Sequence, residues 1–414
     1  MAQPVPLSPE QLVANPPRLG ARARRVALIA AAAGGAALAA SYALALTGGH
    51  GLQRFYYSYL LSFVYFLSIA LGALFFIMLH HLTRASWSVV LRRIAENMAD
   101  TFAVLAVLSL PIVVPLLYGD GRLLAWVTPA ALADPLSAHK QAYLNLPFLL
   151  ARIILCFAVW ILLGSFFRRL SIRQDAAGDV GLTRRMWIVA APAMLLFALT
   201  STVFAVDFLM GLDASWVSTI FGVYFFSGCV VGALAALTLS AILLQRAGLL
   251  ADVVTVEHYH DLGKLLFAFT FFWGYIAFSQ YMLYWYANLP AETGWYLRRQ
   301  NGEWLWVILA LLFVHFLIPF SILLSRLVKR RRALLAAMCI WMLGAHWLDL
   351  YFLVMPELAA RQSPGRLVLD PLLATSFIAV GGLWLAAAIW LAGRQALVPL
   401  RDPQLADSLK FENV

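Results

Sequence analysis

Ten apolar stretches recur along this chain, and each is long enough to cross a lipid bilayer as an α-helix. An α-helix rises 1.5 Å per residue, so about 20 apolar residues cover the hydrocarbon core. Backbone polar groups find no water there, and helices satisfy them internally. The stretches, numbered here as spans 1–10, lie at 26–47, 57–82, 99–118, 143–168, 186–210, 217–244, 264–288, 302–328, 333–355 and 371–392.

The composition agrees with a membrane chain. Hydrophobic residues make up 63% of the 414 residues and charged residues 12%. The predicted fold class is therefore an all-α polytopic membrane protein with ten transmembrane helices. The net charge of +10 comes largely from loops on the N-terminal side, around 168–185 and 326–332. Lys and Arg accumulate in cytoplasmic loops, so both termini are predicted to be cytoplasmic, and the charge does not imply nucleic acid.

The ends of two spans indicate an internal repeat. Span 5 ends VFAVDFLMGLD, with Asp207, and span 9 ends HWLDLYFLVMPE, with Asp349. Because four crossings preserve orientation, spans 2–5 and 6–9 are predicted to form two parallel four-helix bundles, with spans 1 and 10 at the periphery. The predicted organisation is a cytoplasmic segment 1–25, a membrane domain 26–392 with bundles at 57–210 and 217–355, and a cytoplasmic tail 393–414.

Two polar regions lie outside the spans. Residues 84–98 place Leu91, Ile94 and Met98 on one face and Arg92 elsewhere, which predicts an amphipathic helix on the cytoplasmic membrane surface. The N-terminal residues and the tail beyond 400 are polar and contain proline, so we expect them to extend over a partner or to be poorly ordered.

Ionisable residues inside apolar spans are costly, and they indicate function. His315 lies near the middle of span 8, His346 lies near the middle of span 9, and Asp349 follows His346 by three residues. Imidazole titrates near pH 6.5, so groups at this depth can pass protons. Two alternatives remain open. One is a hydrogen-bonded core without proton traffic, and the other is a haem held between the two histidines.

Span 7 and the ends of neighbouring spans supply further candidates for a proton path. Tyr275, Ser279 and Gln280 can hold bridging waters in the membrane. The cytoplasmic mouth is predicted at His80, His81 and Lys264.

A second polar group is predicted near the outer ends of spans 3–5. It consists of His139, Arg152 and Asp207. A quinone needs an apolar cleft with a few groups that bond its oxygens and move protons, and this set supplies such groups. The alternative is a structural ion pair between Arg152 and Asp207.

Metal-binding motifs give little signal. Cys156, Cys229 and Cys339 lie far apart, without the spacing of an iron–sulfur or covalent haem site. His258 and His260 have metal-like spacing, but the same segment resembles a helix cap. We therefore predict that the chain binds no metal.

Three stretches together resemble a known family. They read LGALFFIMLHHL at 71–82, AVDFLMGLDASWVSTIFG at 205–222, and YHDLGKLLFAFTFFWGYIAFSQYMLYWYANLPAETGWY at 259–296. This pattern is similar to the smaller integral-membrane (F) subunit of alternative complex III, a quinol:cytochrome c oxidoreductase. That subunit is also described as quinone-binding subunit 2, and it is grouped with the NrfD-like, polysulfide-reductase-like membrane subunits.

The resemblance implies a subunit of a respiratory or photosynthetic electron-transport complex in the bacterial inner membrane. Its partners would be a larger NrfD-like membrane subunit, an iron–sulfur subunit, and multihaem and monohaem cytochrome c subunits. The haem c and the iron–sulfur clusters would belong to those partners, and a quinone, menaquinone or ubiquinone, is the one cofactor that this chain could contact. A stand-alone proton-coupled secondary transporter is the alternative class.

Overall fold

The computed structural model of the protein describes residues 8–47, 49–128 and 140–413. This part of the chain is helical and contains no strand. Ten helices within these described residues are long and apolar enough to cross a membrane, which confirms the predicted ten-span, all-α fold class. Spans 1–10 are Ala21–Ala45, Gly51–Leu82, Val89–Leu117, Leu146–Ala177, Val180–Leu212, Phe221–Arg246, Val256–Ala287, Trp304–Leu324, Arg332–Gln362 and Pro371–Gly393.

Both ends of the described chain lie on one face of the helix array. The Leu397 amide donates to the Pro17 carbonyl oxygen at 2.9 Å. The Ser408 hydroxyl donates to the carbonyl of Trp87, beside the connection between spans 2 and 3, at 2.8 Å. This face is named the terminal side below, and the other face is named the opposite side. An even number of spans brings the chain back to the side on which it began.

Spans 2 and 6 form the centre of the array. Span 2 packs against spans 3, 5, 6, 9 and 10, while span 6 packs against spans 2, 5, 7 and 9. The two backbones approach closely at Gly72, where a Cβ atom would lie 2.2 Å from the Cys229 carbonyl oxygen. Small residues permit such close approach between membrane helices, whose association depends on packing rather than on the hydrophobic effect. Span 1 packs mainly along span 10.

The amphipathic helix predicted on the membrane surface lies inside the protein, so its predicted position is wrong. Val89–Ala99 is helical, but all of its residues are buried, and it leads directly into the third span. Its polar face is covered by protein rather than by water or headgroups. Arg93 pairs with Glu96 at 2.9 Å and with Asp175 at 2.9 Å. An amphipathic pattern shows that one face needs polar partners, but it does not show whether those partners are water or side chains.

The C-terminal tail also differs from the prediction. It packs on the terminal side, with Leu405 and Leu409 buried. Asp402 accepts a hydrogen bond from the buried Arg92 guanidinium. A charge buried without a partner is strongly unfavourable, so this ion pair ties the tail to the start of span 3. The tail is therefore an integral part of the fold in the residues described.

Candidate functional site

Two imidazoles and one carboxylate meet near the centre of the helix array. One ligand atom each from His315, His346 and Asp349 lies within 4.8 Å of the others. All three residues are buried, with exposures of 0%, 0% and 2%. The structure thus brings together the three residues that depth in the membrane singled out. The group is named the midplane cluster below.

His346 is held in one orientation by span 2. Its Nε2 atom lies 2.7 Å from the Ser68 hydroxyl oxygen, and that hydroxyl also lies 2.7 Å from the Tyr65 carbonyl oxygen. A serine hydroxyl has one hydrogen to donate, and a carbonyl only accepts. The Ser68 hydrogen therefore points to Tyr65, and Nε2–H of His346 donates to Ser68. In the neutral ring this leaves Nδ1 with a free lone pair.

Two glycines on span 6 make room for the His346 ring. A Cβ atom at Gly232 would lie 2.8 Å from Cδ2 of His346, and one at Gly228 would lie 3.4 Å from both Nδ1 of His346 and an oxygen of Asp349. Glycines four residues apart share one helix face. Span 6 thus presents a smooth surface on which the imidazole lies.

Asp349 lies one helical turn beyond His346 and accepts hydrogen bonds from two other spans. Tyr224 of span 6 donates its hydroxyl to one carboxyl oxygen. Trp273 of span 7 donates its indole N–H to the other oxygen at 3.1 Å. Both donors stabilise the carboxylate in a site that excludes water. They also fix its position relative to the two imidazoles.

His315 is the least constrained member of the midplane cluster. Neither of its ring nitrogens has a hydrogen-bond partner among the described residues, although the side chain is fully buried. Its ring packs on Trp273 with the centroids 3.7 Å apart. An imidazole with both nitrogens free can accept one proton and donate another.

A π-helical turn positions His315 on span 8. The span changes from α-helix to π-helix over Leu311–Leu317, and the Ile318 amide donates to the carbonyl of Phe313, five residues earlier. Pro319 has no N–H group to donate, so an α-helical pattern could not continue unbroken here. The shift leaves the carbonyl of Val314 without its helical donor, and the Trp341 indole of span 9 donates to it at 2.7 Å. Such π-turns are frequent at functional sites.

The midplane cluster can move a proton between its members. Nδ1 of His346 offers a lone pair, His315 can both accept and donate, and Asp349 can take a proton from either ring with little movement. A bridging water fits the separations of up to 4.8 Å better than direct hydrogen bonds do. The same groups are also zinc-type ligands, but neighbouring ligands of tetrahedral zinc lie only roughly 3.3 Å apart. The prediction that the chain binds no metal stays a prediction.

The three predicted residues of span 7 divide between two faces. Gln280 is buried, whereas Tyr275 is 58% exposed on the outer surface of the helix and Ser279 is half-buried. The structure therefore places Tyr275 away from the midplane cluster. The inward face instead carries Trp273, Gln280 and Tyr284.

Gln280 belongs to a polar chain between the midplane cluster and the opposite side. Its amide nitrogen donates to the Tyr296 hydroxyl at 3.1 Å, and its amide oxygen accepts from Ser218 at 3.1 Å. Tyr296 lies on Pro290–Gln300, a helix that caps the opposite side. Hydroxyl and amide groups in series can carry a proton when water completes the chain.

The opposite side holds a cluster of charges that depth in the membrane did not predict. Arg299 is fully buried, pairs with Glu357 at 3.1 Å, and donates to the carbonyl of Phe352 at 3.1 Å. In an α-helix the Phe352 carbonyl would accept from the N–H of residue 356, but that residue is proline and has no N–H. The Arg299 guanidinium takes the place of this missing donor. Sequence signals for this site were the Arg298–Arg299 pair in an outer loop and a proline inside span 9.

Asp213, at the edge of this charge cluster, has a lowered pKa. Asp213 accepts hydrogen bonds from Ser215 at 3.0 and 2.5 Å and pairs with Arg298. Burial by itself raises the pKa of the Asp213 carboxyl, but the Ser215 hydrogen bonds and the Arg298 charge outweigh burial. They hold the pKa below its ordinary value of 3.8. The carboxylate is therefore ionised at neutral pH.

The residues predicted at the cytoplasmic mouth all lie on the terminal side. His81 is fully buried, stacks on Phe167 with ring centroids 5.4 Å apart, and has no hydrogen-bond partner among the described residues. His80 donates from Nδ1 to the carbonyl of Phe76 at 2.7 Å. Lys264 is half-exposed and pairs with Asp261. His81 and Ser68 are 13 positions apart on span 2, which corresponds to about 20 Å along the helix.

The structure joins Arg152 and Asp207 in a buried, two-pronged ion pair. Nε and Nη2 of Arg152 donate to the two carboxyl oxygens at 2.8 and 2.9 Å. The guanidinium also packs on the Tyr143 ring, 3.9 Å from its centroid. His139 lies outside the described residues. The geometry supports the structural alternative for this pair, because each charge satisfies the other.

The helix cap at His258 and the haem between His315 and His346 are two further alternatives on which the geometry bears. His258 completes a capping box with Thr255 at the start of span 7, as the helix-cap interpretation predicts. The Trp273 ring occupies one face of His315, and Ser68 occupies Nε2 of His346. A haem ligated through Nε2 of His346 would have to displace Ser68, whereas Nδ1 of His346 and both ring nitrogens of His315 have no partner among the described residues.

Several residues of the site were not found from the sequence. Ser68, Tyr224 and the two span 6 glycines contact the midplane cluster from elements distant in the chain. One signal was present, because Tyr224, Gly228 and Gly232 recur every four residues on one face of span 6. A polar residue in register with small residues predicts close contact with a neighbouring helix.

Comparison with known proteins gives no assignment. No family model matches the sequence, and no curated protein is significantly similar to it.

Proposed function

We propose that this protein is a membrane subunit that conducts protons through the midplane cluster. The observation that carries the proposal is the meeting of His315, His346 and Asp349, within 4.8 Å of one another and buried from water. A buried ionisable group is costly in a membrane, and this chain places three at one point. Ion pairing does not account for them, since no described Lys or Arg pairs with Asp349.

The proposed path has two halves. Toward the opposite side it follows Asp349 and Tyr224, and then Tyr296, Gln280 and Ser218, with water in the gaps. Toward the terminal side it leads past Ser68 to His81 and His80, where Lys264 stands near the mouth. The positive-inside rule identifies the terminal side with the cytoplasm. Ser279 is half-buried and stays a predicted member of the path, and the exposed Tyr275 is left out of it.

We assign the chain to a redox complex of the alternative complex III type, as the F subunit. The support is the resemblance carried by 71–82, 205–222 and 259–296, and the absence of any electron-carrying motif in the sequence. Quinol oxidation would then take place at a sister NrfD-like subunit with iron–sulfur and cytochrome c partners. The proton path here would use the energy that this oxidation releases. The bacterial inner membrane is the corresponding location.

The predicted pair of four-helix bundles belongs to the same proposal. Span 2 packs against spans 3, 4 and 5, span 6 packs against spans 7 and 9, and spans 2 and 6 pack against each other. In that arrangement Asp207 and Asp349 occupy equivalent positions. Asp207 pairs with Arg152, whereas Asp349 has no charged partner among the described residues. A quinone at the first bundle would have to compete with the Arg152–Asp207 pair.

The first experiment tests the assembly. The tagged chain is purified from its native membrane, and the accompanying subunits and cofactors are identified by mass spectrometry and optical spectroscopy. We expect cytochrome c and iron–sulfur subunits. Recovery of the chain alone, or with unrelated proteins, would remove the redox assignment.

The second experiment tests the proton path in the assembled complex. Asp349→Asn preserves size but cannot titrate, so we expect quinol oxidation to continue while protons translocated per electron fall. Asp370→Asn is the control, because Asp370 caps span 10 on the opposite side, away from the cluster. An unchanged proton-to-electron ratio in Asp349→Asn would refute the path.

A stand-alone proton-coupled transporter is the second candidate, and interrupted helices are the feature that favours it. Span 3 is broken at Asp100–Thr101 and at Ser109, and span 8 is interrupted by its π-turn. Transporters with inverted or parallel repeats interrupt corresponding helices. Spans 3 and 8 are not equivalent under the proposed repeat, so we favour the redox subunit. Proton-driven solute uptake by the chain alone in liposomes would reverse this choice.

A further inference from the structure

An apolar cavity of about 480 Å³ opens between span 1 and the centre of the protein. It extends from Arg22 on the terminal side to Tyr65 and Phe377 near mid-membrane. Its walls come from spans 1, 2, 6 and 10, and from the buried first turns of span 3. The volume falls within the range of sites that hold small organic ligands.

The packing of span 1 explains why the cavity exists. Gly34 of span 1 and Gly382 of span 10 bring these two helices together, since a Cβ atom on Gly382 would lie 2.8 Å from the Gly34 Cα atom. This contact holds span 1 along span 10. The side of span 1 that faces span 6 is left with a gap at Ala236 and Leu243. An apolar space of this size in a bilayer is unfavourable when empty, and water does not enter it readily.

Among the described residues, Arg22 is the one charged side chain in the cavity wall, and it lies at the terminal-side end. The Arg22 side chain makes no hydrogen bond or ion pair within the described residues, and the same holds for the side chains of Arg18, Arg24 and Arg25 beside it. Unpaired guanidinium groups next to an apolar cavity match a ligand with an anionic head and an apolar tail. Basic pockets between membrane helices on this side bind anionic lipid headgroups.

The deep end of the cavity does not suit a quinone. A quinone ring needs hydrogen-bond donors for its carbonyl oxygens. The hydroxyl of Tyr65 already donates to the Leu343 carbonyl at 3.2 Å. Asn97 lies nearer the terminal side, where its amide oxygen accepts from Arg168 at 3.0 Å, so the amide nitrogen that it can offer as a donor is not at the deep end. An acyl chain requires no such partner.

We infer that this cavity binds one anionic phospholipid. The phosphate contacts Arg22 at the terminal side, and an acyl chain fills the space between spans 1 and 6. The lipid thereby holds span 1 against the rest of the protein. This inference is independent of the proton path.

The test uses the full chain with its accompanying subunits, stripped of lipid in detergent. Phosphatidylglycerol and phosphatidylethanolamine with identical acyl chains are titrated and followed by native mass spectrometry. We expect preferential retention of one phosphatidylglycerol. Arg22→Gln should weaken this binding about fivefold, from the loss of one basic contact. Arg24→Gln removes the same charge from an exposed residue outside the cavity wall and should change it less than twofold.

A blocking variant tests the position of the acyl chain. Ala388→Phe places a ring in the cavity from span 10 and should abolish retention, and Ala236→Phe does so from span 6 if the first variant does not assemble. Equal binding of the two lipids would overturn the inference. Equal effects of Arg22→Gln and Arg24→Gln would also overturn it, as would displacement of the lipid by ubiquinone at equal concentration.

Discussion

Gly232→Ala should disable the midplane cluster without altering any group that titrates. The added Cβ atom would lie 2.8 Å from Cδ2 and 3.1 Å from Nε2 of His346, closer than ordinary van der Waals contact. The ring has little freedom to retreat, because its Nε2–H is bound to Ser68 at 2.7 Å and the Tyr65 ring lies beside it with the centroids 5.5 Å apart. We therefore expect the variant to push His346 away from Ser68.

The size of the effect follows from three contributions. Overpacking costs about 1–3 kcal/mol, and the lost hydrogen bond adds about 1 kcal/mol. Replacing glycine by alanine in a helix returns about 0.5–1 kcal/mol. The net loss of stability is about 1–3 kcal/mol, measured by denaturant unfolding of the purified protein in detergent micelles. Proton translocation should fall as well.

Gly344→Ala is the matched control for this variant. Gly344 lies on span 9 only two residues before His346, and a Cβ atom there would meet nothing within 4 Å. It should therefore gain about 0.5–1 kcal/mol and conduct protons normally. If Gly232→Ala is as stable and as active as Gly344→Ala, Gly232 does not position His346, and the proposed geometry of the midplane cluster is wrong.

Two further predictions concern the charged sites. Arg152→Leu leaves Asp207 buried without a partner and should lower the free energy of unfolding by about 3–5 kcal/mol. The double variant with Asp207→Leu should recover most of that loss. If the double variant folds but loses quinol oxidation, the pair has a functional rather than a structural role. The pKa of Asp213 is lower in the folded protein than in the unfolded chain, so its ion pair with Arg298 stabilises the protein at pH values above about 4. This stabilisation is lost as the pH falls through the folded-state pKa. Acid unfolding should therefore begin at higher pH in Arg298→Gln than in the unchanged protein, and coincident acid-unfolding curves would contradict the assignment.

The membrane architecture could be predicted from sequence because hydropathy and length decide it. All ten spans were located, and depth alone placed His315, His346 and Asp349 at one level. The error at Val89–Ala99 has a physical cause. Arg92 is buried and paired with Asp402 of the tail, and Arg93 is buried and paired with Asp175 of span 4. Arginines buried in this way leave the same amphipathic pattern as a surface helix.

Other features of the site depend on contacts that one sequence does not reveal. The π-turn at His315 results from Pro319 together with the Trp341 indole of another span. The inward face of span 7 is decided by the packing of Gly274 against Phe316, which turns Trp273 inward and Tyr275 outward. Both faces of span 7 are rich in aromatic and polar residues, so periodicity gave no preference between them. Tyr224 reaches Asp349 only because spans 6 and 9 pack together.

Redox-induced infrared difference spectroscopy of the assembled complex tests the central claim most directly. If protons pass through the midplane cluster, turnover changes the protonation or hydrogen bonding of Asp349 and produces a carboxyl C=O difference band. That band should vanish in Asp349→Asn and shift in Tyr224→Phe, because Tyr224 donates to the same carboxyl group. A carboxyl difference spectrum identical in the unchanged protein and in Asp349→Asn would show that Asp349 does not take part in turnover, and it would contradict the proposed path.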